Sequence, residues 1–199
     1  MIAGPAMTKG PLIILSGPSG SGKTTVASRV IETSAFPLRR AISATTRPPR
    51  AGEVHGRDYY FLTAEEFEQR LHEDAFLEYA KVHECYYGTL KAEVDPHRER
   101  GTGVMLVIDV QGAAEVRRKV DDHVSIFLMA PTLEDLDNRL RQRGLDSDAV
   151  IESRLANARR EIAEAGNYQY RVVNKEFDQA VREIRNIIES QFRRSNNAG

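Results

Sequence analysis

The sequence predicts an α/β fold, a parallel sheet with helices on both faces, and three observations predict it. Leu12-Ile13-Ile14-Leu15 is a short continuous apolar run of the kind found in strands buried on both faces, and a glycine-rich turn leads from it into a helical pattern. Val104-Met105-Leu106-Val107-Ile108 is a second such run, and it ends at the carboxylate of Asp109. Strand and helix patterns then alternate to the end of the chain, the order that builds a parallel sheet through right-handed crossovers.

The turn after the first strand reads Gly17-Pro18-Ser19-Gly20-Ser21-Gly22-Lys23-Thr24. It fits the pattern G-x-x-x-x-G-K-[ST], with Gly17, Gly22, Lys23 and Thr24 at the required positions. Thr25 to Ile31 follows as a helix with Val26, Val30 and Ile31 on its apolar side. Glycines let backbone N–H groups turn inward, and the helix N-terminus adds positive potential where phosphates sit. The loop residues 17 to 24, with Thr25, are therefore candidate ATP-binding residues. Lys23 would reach the β and γ phosphates, and the Thr24 hydroxyl would ligate Mg²⁺. A glycine-rich turn that binds nothing is the plain alternative; all four positions and both flanks argue against it.

Further along, Phe36-Pro37 breaks the helix and Leu38 to Ile42 predicts a second short strand. Ser43-Ala44-Thr45-Thr46-Arg47-Pro48-Pro49-Arg50-Ala51-Gly52-Glu53 is dense in polar punctuation, and its prolines favour extended chain. Arg47 and Arg50, three apart on that rigid loop, can converge on one anion. Tyr59 to Leu62 predicts a strand, and Thr63 with Glu66 a capping box opening a helix with Phe67 and Leu71 on one face. Phe76 to Val82 and Tyr86 to Gly88 predict two more strands. Leu90 to Arg100 predicts a helix that Pro96 kinks or restarts.

Asp109, at the C-terminal tip of the second buried strand, points into the crevice where open α/β sheets bind ligands. Gly112 to Val120 predicts a helix, Val124 to Ala130 a strand, and Thr132 the cap of a helix with Leu133, Leu136 and Leu140 on one side. Residues 144 to 148 read as a loop and 149 to 165 as a helix carrying Arg154. Tyr170 to Val173 is a last strand ending at Asn174, and Phe177 to Phe192 a final amphipathic helix with Val181, Ile184 and Ile188.

At 199 residues the chain suits one domain with insertions. A formal charge of −1 argues against general affinity for nucleic acid or anionic membrane. No run approaches the ~20 apolar residues of a membrane span, and no stretch has signal-peptide character. The single cysteine, Cys85, lacks an internal partner and reads as an ordinary half-buried thiol in a reducing, cytoplasmic setting. Residues 1–10 read as a flexible leader and 193–199 as a frayed tail.

Several stretches together resemble the guanylate kinases, P-loop members of the nucleoside monophosphate kinases. They are Ser43-x-Thr45-Thr46-Arg47-x-x-Arg50-x-x-Glu53-x-x-Gly56-x-Asp58-Tyr59-x-Phe61, then Glu78, Tyr87-Gly88-Thr89, Ile108-Asp109-x-Gln111-Gly112 and Arg139-Leu140-x-x-Arg143-Gly144, with Arg154 downstream. The resemblance runs from about residue 11 to 192 in order. It implies ATP + GMP ⇌ ADP + GDP, with dGMP as a second acceptor. It also implies a P-loop core (11–42, 90–131 and 159–192), a small α+β GMP-binding insertion (43–89) and a helical lid (132–158). Ser43, Arg47, Arg50, Tyr59 and Tyr87 would hold the GMP phosphate; Glu78 and Thr89, with Asp109, would face guanine. Arg139, Arg143 and Arg154 would come from the lid, Arg139 on the ATP side, and Asn174 would lie near adenine. Lys23, Arg47, Arg143 and Arg154 would be catalytic. Mg²⁺ would accompany ATP; a homo-oligomer stays open.

The chemistry agrees with this assignment. A phosphate acceptor is already anionic, so catalysis needs positioning and charge neutralisation, which arginine forks supply. Guanine presents N1–H and N2–H₂ donors beside the O6 acceptor, matching a carboxylate at Glu78 and a hydroxyl at Thr89. Taken singly, each element has an ordinary reading: Arg139 to Arg154 as a solvated face, Tyr59 and Tyr87 as core, Arg47 and Arg50 paired with Glu53 and Asp58. The resembling family carries an acid where this chain has Val107. Gln169 and Lys175 replace acids around the last strand, and Pro96 interrupts a helix. A non-catalytic guanylate-kinase-like module, or a P-loop kinase for another nucleotide or a sugar phosphate, are the competing readings.

Overall fold

The computed structural model of the chain describes residues 8–82, 84–142 and 147–197. It starts with β1 (Leu12–Ser16), buried along its whole length. Because side chains alternate across a strand, Ile13 and Leu15 go to one face of the sheet and Leu12 and Ile14 to the other. The glycine loop then turns into α1 (Lys23–Thr33), two residues longer at its start than the apolar spacing suggested. β2 (Leu38–Arg40) and β3 (Ser43–Thr45) follow, split between two sheets.

Next come β4 (Tyr60–Phe61), α2 (Ala64–His72), β5 (Phe76–Val82) and β6 (Cys85–Leu90). The predicted capping box at α2 is present: Glu66 N–H donates to Thr63 Oγ1 at 3.1 Å, and Thr63 N–H to Glu66 Oε2 at 2.8 Å. These strands form a four-stranded sheet in the order β4-β3-β6-β5. It has its own small core, in which Phe67 stacks on Phe76 with ring centroids 4.4 Å apart and on Tyr86 at 5.3 Å.

The chain re-enters the larger sheet through a 3₁₀ turn (Lys91–Glu93) and α3 (Asp95–Glu99). Pro96 sits in the first turn of α3, where its missing N–H costs nothing, so the predicted helix restarts there and is two pieces. β7 (Gly103–Val107), α4 (Val110–Lys119), β8 (His123–Met129) and α5 (Leu133–Gln142) follow. Then come α6 (Asp148–Ala163), a 3₁₀ turn (Glu164–Asn167), β9 (Tyr170–Val173) and α7 (Phe177–Asn197). The main sheet runs β2-β7-β1-β8-β9 with every pair parallel, as the sequence predicts.

Helices cover both faces. Val26 and Val30 of α1 and Ile184 and Ile188 of α7 pack on the side of Ile13; Ala113 and Val116 of α4 pack on the side of Leu12. A third cluster joins α5 and α6 through Leu136, Leu140, Ile151 and Ala158.

Three terminal and boundary expectations change. Gly10, read as part of the leader, is buried: its N–H donates to Arg98 O at 2.7 Å and its carbonyl accepts from Arg98 Nε at 2.8 Å. Helix α7 continues past residue 193 to Asn197, because nothing in 193–197 breaks a helix. Asp109 lies beyond the end of β7 and serves as the N-cap of α4, its Oδ1 accepting from Gln111 N–H at 2.7 Å and Gly112 N–H at 3.1 Å.

Candidate active site

The loop between β1 and α1 is shaped by backbone conformations that side chains resist. Gly22, the N-cap of α1, has φ of +92°, and a Cβ there would press on the amide of Asn174. That amide donates to Ser21 O at 2.9 Å, so the end of β9 braces the loop from behind. The Lys23 ammonium donates to Gly17 O at 2.6 Å and Pro18 O at 3.0 Å, folded over the loop it belongs to. Directly over these residues a concavity of about 160 Å³ is lined by Ser19, Gly20, Gly22, Lys23, Thr24 and Thr25.

Two larger spaces adjoin it. One, of about 410 Å³, is lined by Gly20, Gly22, Thr25, Arg139, Asn174 and Phe177, among others. There Arg139 Nη2 donates to Asn174 O at 2.7 Å, so the residues expected on the ATP side do converge. The other, of about 270 Å³, brings Gly17, Ser19, Lys23 and Thr24 together with Ser43, Tyr59, Glu78, Tyr87 and Asp109. Two sheets thus contribute to one cavity. Tyr59 meets Tyr87 edge to face at 6.1 Å, and burial, with the neighbouring Tyr87, raises the Tyr59 phenol above its ordinary value.

Glu78 is strongly perturbed. It is 3% exposed, and burial pushes its carboxyl up to about 7; the hydroxyl of Thr89, donating to Oε1 at 2.6 Å, pulls the other way, and the charge of Asp109 adds to the rise. Thr89 itself is fully buried and is not among the lining residues; its hydroxyl is engaged with Glu78. Gly112 leaves room for this pair, since a Cβ there would collide with Glu78 Oε2.

The arginines are less gathered. Arg47 Nη2 donates to both oxygens of Glu53 at 2.9 Å, Nη1 donates to Pro48 O at 2.6 Å, and the guanidinium lies 5.5 Å from the Tyr59 ring centre. The ordinary pairing with Glu53 is therefore real, and it aims the fork beside Tyr59. Arg50 is exposed, with its backbone N–H on Glu53 at 2.7 Å, while Asp58 pairs with Arg57 and not with Arg50. Arg154 is half-buried on α6. Arg143 lies outside the described residues.

Sequence reading missed Glu161. It lines the cavity with Lys23, Thr24 and Asp109, and burial raises its carboxyl against the opposing pull of Lys23. A glutamate in the run Arg159-Arg160-Glu161 carries no local signal that sets it apart from a solvated helix face.

The guanylate kinase family model matches residues 9–191. The chain belongs to the guanylate kinase family. It is 47% identical over 180 residues to the guanylate kinase of Caldanaerobacter subterraneus subsp. tengcongensis, covering 90% of this chain and 87% of that one. To the guanylate kinase of Fusobacterium nucleatum subsp. nucleatum it is 46% identical over 184 residues, covering 92% and 98%. Among solved structures, the guanylate kinase from Anaplasma phagocytophilum superposes with a TM-score of 0.77 at 31% identity, over 92% of this chain and 87% of that one. Family membership fits the geometry: a phosphate loop and a buried carboxylate open onto one space.

Proposed function

We propose that the chain transfers the γ-phosphoryl group of ATP to GMP, and to dGMP, giving ADP and GDP or dGDP. The observation that carries this reading is the shared cavity, with Lys23 and Thr24 from the phosphate loop facing a space that also holds Glu78, Ser43, Tyr59 and Tyr87. Glu78 is the selecting group. Its ionised form accepts from the N1–H and N2–H₂ of guanine, and adenine offers no such pair of donors. Thr89 fixes the carboxylate through its donated hydrogen bond. Ser43, Tyr59 and Tyr87 would hold the acceptor phosphate, with Arg47 and Arg50 turning to it from the proline-rich loop.

The acceptor oxygen is anionic, so no side chain has to remove a proton. Lys23 would exchange the carbonyls of Gly17 and Pro18 for phosphate oxygens, while Arg143 and Arg154 gather the charge of the transferring group. Arg139, Asn174 and Thr25 line the space on the far side of the loop, where the nucleoside of ATP would lie. Among the described residues no three His, Cys, Asp or Glu side chains cluster tightly enough to hold a metal ion by themselves. The exposed Thr24 hydroxyl at the start of α1 fits an ion that arrives with the nucleotide. Mg²⁺ held there would neutralise phosphate charge.

We assign residues 43–89 as the acceptor-binding insertion and 132–158 as the lid, each supported by its own apolar cluster. The reaction belongs to purine nucleotide metabolism, and the single half-buried thiol suits the cytoplasm. Among the described residues no helix is long and apolar enough to cross a membrane. A coupled assay for ADP with ATP and each of GMP, dGMP, AMP, CMP and UMP tests the reading. GMP and dGMP should turn over, and AMP should be rejected by roughly 10⁴-fold in kcat/KM. Comparable efficiency for AMP and GMP would leave a P-loop kinase of another specificity.

A further inference from the structure

Three carboxylates line the cavity that joins the phosphate loop to the smaller sheet: Glu78, Asp109 and Glu161. Glu78 is enclosed and held by Thr89. Asp109 commits Oδ1 to the first turn of α4. Glu161 is contributed by α6, the only residue of that helix among the described residues lining this cavity, and it also borders the adjoining cleft that Gln111 and Asp109 line. Two turns back on the same helical face, seven residues away, stands Arg154.

This charge layout is odd for a cavity that receives phosphates. Three acids face it against one lysine, and the Lys23 ammonium is already held by two loop carbonyls. Carboxylates and phosphates share a small space favourably only when a cation stands between them. Val107 lines the same cavity and adds no carboxylate, so the acids able to face such a cation are Asp109 and Glu161. Mg²⁺ keeps several of its waters when it binds with phosphates, and those waters need acceptors.

We propose that Glu161, together with Asp109, accepts hydrogen bonds from the water shell of the divalent ion carried by the nucleotide. Glu161 is then a positioning residue, acting on the phosphates through the ion. The proposal rests on the kinase reading above and deepens it by naming the side chain on α6 that sets the ion's place.

Calorimetric titration of ADP, with Mg²⁺ and with EDTA, tests it without turnover. Metal-free ADP affinity reports a folded nucleotide site, and the ratio of the two affinities isolates the ion. Wild type should tighten on adding Mg²⁺. Glu161→Gln should lose about 10- to 100-fold of that gain, the usual cost of removing an outer partner of a metal, with metal-free affinity unchanged or improved. Glu161→Asp, which keeps the charge one methylene short, should lose less and carries the same ratio if the glutamine variant fails to bind ADP without metal. An unchanged Mg²⁺-dependent gain in the variants overturns the proposal and leaves the kinase reading intact. A wild type with no such gain, and no turnover of GMP, overturns both.

Discussion

The hydroxyl of Thr89 donates to Oε1 of Glu78 at 2.6 Å inside a site where both residues are buried, so the carboxylate is oriented before any substrate reaches it. Orientation fixed in advance spares the entropy of ordering the side chain on binding.

If Glu78 receives the guanine as proposed, this pair should make acceptor binding depend on pH. Burial raises the Glu78 carboxyl from its ordinary 4.5 to about 7, with Asp109 and Glu115 adding like charge and Thr89 opposing. Below that value the acid is neutral and one oxygen becomes a donor facing the guanine donors. The affinity for GMP, followed by calorimetry, should therefore fall as pH drops below about 7, while ATP affinity changes little. Protein stability should move the opposite way: the contribution of this group is full below the unfolded value and is lost as pH rises through the folded one. Glu78→Gln should weaken GMP at all pH values and flatten the profile; a profile that stays the same in the variant would detach it from Glu78.

Gly112→Ala should harm GMP more than ATP. The added methyl meets Glu78 Oε2, which Thr89 and burial prevent from simply stepping aside. We expect a rise in KM for GMP with near-normal ADP affinity, and a stability loss of about 1–3 kcal/mol from overpacking, read by denaturant titration. Equal KM values for variant and parent would mean that the carboxylate is not fixed.

Lys23→Ala should remove turnover and leave the fold standing. The ammonium donates to the carbonyls of Gly17 and Pro18, and the Asn174 amide, donating to Ser21 O, holds the loop independently. Circular dichroism and the melting temperature should stay close to wild type while kcat collapses. Substantial residual kcat would take the loop out of the chemistry.

If Arg154 and Arg143 act on the transferring group as proposed, Arg154→Ala and Arg143→Ala should lower kcat far more than they raise KM for GMP. By analogy with arginine fingers the loss reaches on the order of 10³-fold. Unchanged kcat in both would remove them from the chemistry.

The parts of the molecule legible in the sequence are those decided by neighbours in the chain. The β1 run, the glycine loop, and the Thr63–Glu66 box each express a local rule, and each is present where the residues place it. Asp109 shows the limit: a carboxylate after a buried strand reads the same whether it ends the strand or caps the next helix, and only the hydrogen bonds from Gln111 and Gly112 decide. Gly10 depends on Arg98, and the enclosure of Thr89 on a strand partner eleven residues back, so neither has a local sign. Glu161 reaches the cavity because α6 returns across the molecule, which no spacing within 159–161 encodes.

Strand β1 also has a consequence for how the protein comes apart. Four of its five residues, Leu12 to Leu15, feed the apolar layers on both faces of the larger sheet, and its two neighbours β7 and β8 are hydrogen-bonded to it along its length. Neither layer can melt while the other survives, so the larger sheet should open as one cooperative unit. Its amides should exchange with deuterium only through global unfolding, whereas those of α5 and α6, sharing one small cluster, should exchange through cheaper local openings.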